Sequence, residues 1–461
     1  MLGVTVALIV LAIVGYLIIK DYKPQAVLLA GGFFMMAFSI IFNFGAILPA
    51  KQSTGFIWFD IYQYTENLLT SRTANLGILI MTCAGFARYM DKIGASDILV
   101  HYSIKPLSFF KSPYFVLSLG FIIGQFIHLA IPSASGLGLV LMVTMYPIYV
   151  GLGVSRGAAT AVIATNSCLD LGPASANSVL ASKTAGMGVV DYFVNYQLPV
   201  AIAVTIAIAI THYFVQQYFD KKAADTEEEL LANAQTVATV KGSDKVLPPG
   251  YYAVLPLVPL TLILVFGYLK IGGIKLDIVP AMFIGFTAGM LLELIRYKSI
   301  KKVFSSMQNF FDGMGVSFAT VITLIIAGEI LAKGLMSLGA IDTVISWAVS
   351  VGLGKDITIL IMCIVITGSA IVMGSGNAAF FSFAAFAPEV AKKMGFETIN
   401  LILPMQICAS LGRTMSPISG VVVAIAGIAQ ISPFEVVKRT AIPMVISFII
   451  NLVVTFMLFK G

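Results

Sequence analysis

Residues 398–430 read Thr398-Ile-Asn-Leu-Ile-Leu-Pro-Met-Gln-Ile-Cys-Ala-Ser-Leu-Gly-Arg413-Thr-Met-Ser-Pro417-Ile-Ser-Gly420-Val-Val-Val-Ala-Ile-Ala-Gly-Ile-Ala-Gln430. As one continuous helix, this run would measure about 50 Å, well beyond the ~30 Å of a bilayer's hydrocarbon core. Pro417 removes a helical N–H and Gly420 lets the backbone leave the helix, so the run reads as a membrane helix broken near its middle. A second overlong run, 158–190, is interrupted in the same way, from Thr165-Asn166-Ser167 through Asp170-Leu-Gly-Pro-Ala-Ser175.

The rest of the chain has the composition such helices require. Of 461 residues, 59% are hydrophobic and 11% charged, against roughly a quarter charged in a soluble globular chain. Twenty-eight basic and 22 acidic residues cannot cover a water-soluble surface of this size. Further apolar runs fall at 2–19, 26–48, 74–90, 198–218, 250–268, 277–295, 317–335 and 441–459, with no alternating pattern of barrel strands. The expected fold is therefore an all-α polytopic membrane protein. The net charge of +6 comes from basic residues scattered at span ends, which read as membrane anchors, with no stripe for nucleic acid. Lys221-Lys222, the 296–302 cluster and Lys438-Arg439 are the clearest anchors, placed on the cytoplasmic side. The start of the chain lacks a basic n-region and a small-residue cleavage site, so it reads as a retained first span. Cys83, Cys168, Cys363 and Cys408 all fall in apolar stretches and read as packing residues.

The one long polar stretch, 220–248, reads as a cytoplasmic linker between two halves, 1–219 and 249–461. Gly94-Ala-Ser-Asp97 recurs as Gly339-Ala-Ile-Asp342, Pro173-Ala-Ser175 as Pro417-Ile-Ser419, and Pro199 as Pro443, in order and at nearly constant spacing. Such an ordered series marks an internal repeat. With the basic clusters inside, span 74–90 enters from outside and 317–335 from inside. The halves are thus expected to be inverted, the plan of secondary transporters.

Each half also carries a small polar knot between two apolar arms, Pro132-Ser-Ala-Ser-Gly136 within 113–150 and Gly374-Ser-Gly-Asn377 within 356–394. Both segments read either as crossing pairs or as re-entrant hairpins, and the re-entrant form is favoured because it puts the knots near the midplane. The expected architecture is about ten crossing helices plus two such hairpins. Segments 91–112 and 336–355 read as amphipathic interfacial arms. A lone knot of small residues is most simply close packing between helices. Four breaks in related places favour a binding site formed by Ser133, Ser135 and Gly136; Thr165, Asn166, Ser167 and Ser175; Gly374, Ser375, Gly376 and Asn377; and Gly412, Arg413, Thr414, Ser416 and Ser419.

Buried charge narrows the ligand. Arg413 in an apolar run costs on the order of 3 kcal/mol unless paired or hydrated, and its fork suits a carboxylate. Its partner is read as an organic anion, as Asp170 in the other break, or as each at a different stage of a cycle. Asp170 and Glu329 are candidate coupling carboxylates, although Glu329 also precedes Lys333 by one turn, the order of a helical ion pair. His128 reads as a satisfied core residue. No nucleophile-base pair or metal cluster falls in the breaks, so no catalytic or metal residue is assigned and an enzyme is not expected.

Three stretches carry a family resemblance: Ser375-Gly-Asn-Ala-Ala-Phe380, Leu411 through Gly427, and Ile431-Ser-Pro-Phe-Glu-Val-Val-Lys-Arg-Thr440. With Ser155-Arg-Gly-Ala-Ala159 and the Gly94 element, they closely resemble the DcuC family of anaerobic four-carbon dicarboxylate carriers. The resemblance implies a multi-pass carrier of the bacterial inner membrane for succinate, fumarate and malate. It would work by efflux, exchange or ion-coupled symport, as a homodimer with an elevator-like transport domain. Sodium-coupled members of the wider ion-transporter superfamily carry Ser-Asn-Thr at each hairpin tip; here the tips read Ser133-Ala-Ser135 and Ser375-Gly-Asn377. No cofactor is implied, and coupling to protons or sodium is left open. A related carrier for another carboxylate or for basic amino acids, or an anion channel, would share the same plan.

Overall fold

The structure is a computed structural model that describes residues 2–20, 22–223, 247–340, 343 and 354–459. The linker reading for 220–248 and the second interfacial arm at 336–355 lie largely outside the described residues. Among those residues the secondary structure is entirely helical, and nine helices are long and apolar enough to cross a membrane. The all-α polytopic membrane fold is therefore observed. Side chains such as Leu8, Ile206, Ile295 and Ile449 stand more than half exposed along these helices, where a bilayer would cover them.

The first half begins with α1 (Leu2–Ile19) and α2 (Pro24–Ile41). A long helix follows, made of α3 (Asp60–Arg72), one π turn (Thr73–Gly77) and α4 (Ile78–Ile93), and closed by left-handed Gly94. After α5 (Ala95–Ser103) comes a helical hairpin of α6 (Pro113–Ala130), α7 (Ala134–Thr144) and α8 (Tyr146–Gly151). A broken helix, α9 (Arg156–Thr165) and α10 (Ala176–Thr184), leads through α11 (Val189–Asp191) and a π stretch into α12 (Leu198–Ala223).

The second half presents the same series of elements. A helix containing α13 (Val258–Leu262) and then α14 (Ile278–Tyr297) come first. The long helix is α15 (Ile300–Ser317), a π turn at Phe318–Ile322 and α16 (Thr323–Ser337). The two π turns are separated by the same spacing as Gly94 and Gly339, which both have positive φ. The hairpin is α17 (Lys355–Met373), α18 (Gly376–Ala384) and α19 (Ala387–Met394). The broken helix is α20 (Ile399–Thr414) and α21 (Gly420–Ala429), and α22 (Pro433–Leu458) ends the chain.

Glycines let the long helices of the two halves touch. α4 packs on α15 and α2 on α16. A Cβ on Gly85 would lie 2.6 Å from the Phe310 carbonyl, and one on Gly313 2.8 Å from the Cα of Gly85. In lipid, where burial of apolar surface drives little association, such backbone contact is a main source of helix adhesion.

Two expectations need correction. The run at 74–90 is only part of its helix, because the polar segment 60–72 continues it; the low hydropathy of Gln63, Glu66 and Asn67 conceals this helical extension. Arg439 is not an anchor at a span end. It is 1% exposed and paired with Asp220 at 2.5 Å and Glu435 at 2.9 Å, joining α22 to α12.

Candidate functional site

The two hairpin tips are built alike. In the first, Pro132 ends the α6 hydrogen-bond pattern and Ser133 caps α7, its Oγ accepting the Gly136 N–H at 3.1 Å. In the second, Gly374 turns the chain at φ 66, and Ser375 Oγ accepts the Ala378 N–H at 3.1 Å at the start of α18. A side chain on Gly374 would also meet the Ile418 carbonyl at 2.9 Å. In the first break, left-handed Asp170 and Gly172 carry the chain out of α9, and extended Ser175 starts α10. In the second, α20 stops at Thr414 and extended Ser419 starts α21.

These four helix starts open onto one cavity of about 430 Å³, within the ordinary range for ligand pockets of roughly 300–1,000 Å³. Ser133, Ser135, Ser175, Gly374, Ser375, Asn377, Asp170, Arg413 and Ser419 all line it, so both tips and both breaks contribute. A helix start presents unsatisfied N–H groups and the positive end of its dipole. Converging on one space, four such ends give the cavity N–H donors and positive dipole ends, which favour negative charge.

Asp170 and Arg413 meet across the two halves. Arg413 Nη1 lies 3.3 Å from Asp170 Oδ2 and Nη2 lies 3.2 Å from Oδ1, and Nη2 also donates to the Ser167 carbonyl. Asp170 Oδ2 further accepts from Ser410 Oγ at 2.5 Å and Asn177 Nδ2 at 2.7 Å. The Asp170 carbonyl accepts from Ser178 at 3.1 Å and from Gln197 and Gln406 at 3.3 Å each. Asn177, Ser178, Gln197, Gln406 and Ser410 were not singled out by the sequence, because uncharged polar residues on apolar helices look like packing residues.

The remaining expected residues stand behind the cavity wall. Gly136 supports the first tip. Thr165 Oγ1 lies 2.9 Å from His212 Nε2. Asn166 is fully buried beside Gly124, and neither its amide atoms nor the Ser167 hydroxyl has a hydrogen-bond partner among the described residues. Gly376 and Gly412 are close-packing positions, where a Cβ would lie 2.8 Å from the Ala409 carbonyl and 2.6 Å from that of Thr367. The Thr414 hydroxyl donates to the Ser410 carbonyl at 3.0 Å, and the Ser416 hydroxyl to that of Ile371 at 2.6 Å.

Glu329 is elsewhere. It lines a separate cleft of about 300 Å³, and its partner is Arg72, with Nε 2.7 Å from Oε1. The expected pair with Lys333 does not form; Lys333 Nζ sits 5.5 Å from the centre of the Tyr64 ring. The Arg72 fork, arriving from α3, outcompetes a single ammonium one turn away. His128 is likewise not satisfied: it is fully buried, and neither ring nitrogen has a hydrogen-bond partner among the described residues. The four cysteines are free and buried, as expected for packing residues.

A polytopic helical fold with broken helices facing one cavity is the plan of a membrane transporter, the class to which the family and the named relatives of this chain belong. A family model described as "C4-dicarboxylate anaerobic carrier" matches residues 2–460, and the chain belongs to this DcuC family. It is 37% identical over 456 residues to the anaerobic C4-dicarboxylate transporter DcuC of Escherichia coli K12, covering 99% of this chain and 96% of that one. It is 38% identical over 459 residues to a protein of Vibrio cholerae named a probable anaerobic C4-dicarboxylate transporter, covering 99% and 98%.

Two solved structures share the fold at 13% identity. One is MtrF of Neisseria gonorrhoeae, presented as one of a class of antimetabolite efflux pumps, with a TM-score of 0.62 and coverage of 86% of this chain and 83% of that one. The other is the YdaH transporter of Alcanivorax borkumensis, with a TM-score of 0.63 and coverage of 94% and 98%. The chain is thus a multi-pass inner-membrane protein that handles small molecules within a lipid bilayer.

Proposed function

We propose that this protein is a secondary transporter of four-carbon dicarboxylates, succinate, fumarate and malate among them, working by exchange, efflux or ion-coupled symport. The observation that carries the reading is the convergence of four helix N-termini on one cavity that also presents Arg413. The C4-dicarboxylate names of its relatives support the same substrate class. A dicarboxylate would lie between the two tips, each carboxylate drawing N–H donors from a helix start and hydroxyls from Ser133, Ser135, Ser375 or Asn377. Arg413 would serve one carboxylate when it is released from Asp170. A basic amino acid fits poorly, because the carboxylate in the wall is already held by Arg413.

The two series of elements act, in this reading, as inverted repeats. The hairpins and broken helices move together as a transport domain against a scaffold of α1, α2, α14 and the helix containing α13, in an elevator-type cycle within a homodimer. Tips and breaks from both halves meeting in one cavity is what such a moving unit requires. The test is uptake of labelled succinate into proteoliposomes loaded with unlabelled succinate or left empty. A carrier is expected to take up label several-fold faster when loaded, whereas equal rates would indicate an anion channel. Inhibition by external fumarate but not by arginine is expected for the dicarboxylate reading.

A further inference from the structure

We propose that His128 controls Arg413: when its imidazole is protonated it takes over the Asp170 carboxylate and leaves the guanidinium to the anion in the cavity. The inference rests on the reading of that cavity as the substrate site and names the group that ties anion binding to a proton.

The geometry is specific to one oxygen. Asp170 Oδ2 is occupied by Ser410, Asn177 and Arg413 Nη1. Oδ1 faces two side-chain nitrogens among the described residues, Arg413 Nη2 at 3.2 Å and His128 Nε2 at 3.7 Å. At 3.7 Å the imidazole is within ion-pair reach but too far for a hydrogen bond. His128 comes from the last turn of α6, and neither ring nitrogen has a hydrogen-bond partner among the described residues. A fully buried imidazole with no partner is costly, and a neutral ring can offer Oδ1 only a single N–H, a weaker donor than the guanidinium already there. Protonated, the ring donates from both nitrogens and Oδ1 becomes its acceptor. Arg413 Nε is also unpartnered, so the guanidinium retains a donor edge not committed to Asp170.

Among the described residues, the other charged groups on the elements packed against α6 have partners of their own or lie near the surface. α6 packs against α5, α8, α9 and α12. On α12, His212 is held by Thr165 at 2.9 Å and Gln216 at 3.1 Å. Asp220 bonds Tyr114 at the opposite end of α6, about 21 Å from His128 by helical rise. Lys221 and Lys222 are exposed beyond it. α9 carries Arg156 at its first position, directed to the Ala429 carbonyl at 3.5 Å. On α5, Asp97 is half-buried and His101 exposed, and in the turn that follows Lys105 stacks on Tyr102 at 4.3 Å. α8 contributes only tyrosines, of which Tyr149 bonds Met145 at 3.4 Å.

In the resulting step a proton from water on the open side bonds to His128 Nε2, Asp170 Oδ1 passes from Arg413 to the imidazolium, and the anion's carboxylate binds the freed guanidinium. Release on the other side reverses each transfer, so one proton accompanies each anion bound through Arg413.

The experiment measures the KM and kcat of fumarate exchange in proteoliposomes with equal internal and external pH, between about pH 6 and 8. Fumarate stays doubly ionised across that range, so any slope belongs to the protein. The wild-type KM is expected to fall at least threefold from the alkaline to the acid end, with kcat changing less. His128→Gln is expected to give a flat profile at the high wild-type KM, and His128→Lys, a fixed cation, a flat profile at the low one. A His128→Gln protein that keeps the wild-type slope overturns the proposal. Fumarate-induced thermal stabilisation in detergent provides a second readout: it should grow on acidification in the wild type and not in Asp170→Asn, whose lost carboxylate His128 can no longer capture. A growing effect in Asp170→Asn would contradict the proposal. If removing Arg413 leaves exchange intact, the anion-site reading itself fails; if it abolishes exchange while His128→Gln keeps the slope, only the role of His128 fails.

Discussion

Arg413 shows what a charge in an apolar run can and cannot reveal. Its presence between Gly412 and Pro417 was conspicuous, and so was Asp170 in the other break; both line the cavity. What the sequence left open was their mutual pairing, which alters the expected behaviour of single variants. Removing one partner of a buried ion pair costs about 3–5 kcal/mol, because the other charge is left uncompensated. Arg413→Ala should therefore lose thermal stability as well as transport, while Arg413→Gln combined with Asp170→Asn removes both charges and retains the fold. Asn177 and Ser410 carry no mark in the sequence, and His128 reads there as a core residue, because neutral polar residues have no signature against packing residues in lipid. Lys438 and Arg439 looked alike in sequence but differ in the fold. Arg439→Ala should destabilise the protein by about 3–5 kcal/mol in a detergent melting assay. Lys438→Ala, whose exposed side chain only brushes Glu435 at 3.6 Å, should cost about 0–1 kcal/mol.

The helices were legible wherever glycine, proline and serine interrupted an apolar run. Both tips and both breaks appear where such residues fall, because in hydrocarbon a chain leaves the helix only where other groups satisfy its backbone. The π turns at Thr73–Gly77 and Phe318–Ile322 left no comparable mark, since Thr-Ala-Asn-Leu-Gly and Phe-Ala-Thr-Val-Ile contain neither proline nor clustered glycine. Helix 60–72 was missed for the opposite reason, being too polar for a search by hydropathy. The helix starts give their own test. Ser133→Ala and Ser375→Ala each remove a cap worth about 1 kcal/mol of stability together with a cavity hydroxyl, so each should lower the melting temperature slightly and raise the KM for dicarboxylate. Gly374→Val, which combines a positive φ with a clash at the Ile418 carbonyl, should eliminate exchange outright.

At the scale of the molecule, the ordered spacing of Gly94 and Gly339, then Pro173 and Pro417, foreshadowed two matching series of elements. Their meeting in one cavity could not be read from spacing, because it depends on how the hairpins fold back against the broken helices. If the hairpins and broken helices move together against the scaffold, the cavity should face each side of the membrane in turn. All four native cysteines are buried, so a Ser135→Cys protein carries one exposed thiol among the described residues. That thiol should react with an impermeant maleimide from either side, and bound dicarboxylate should slow the reaction from both. Labelling from one side alone under every substrate condition would count against alternating access.

In the proposed mechanism one anion cavity, built from both halves and centred on Arg413, carries the transport. Exchange of labelled succinate in proteoliposomes containing wild-type protein or the Arg413→Gln, Asp170→Asn double variant tests it most directly, with a melting curve of each protein as the folding control. Brisk counterflow is expected in the wild type, and none above background in a double variant that melts within a few degrees of it. Undiminished exchange by the folded double variant would mean that transport does not run through Arg413 and its cavity.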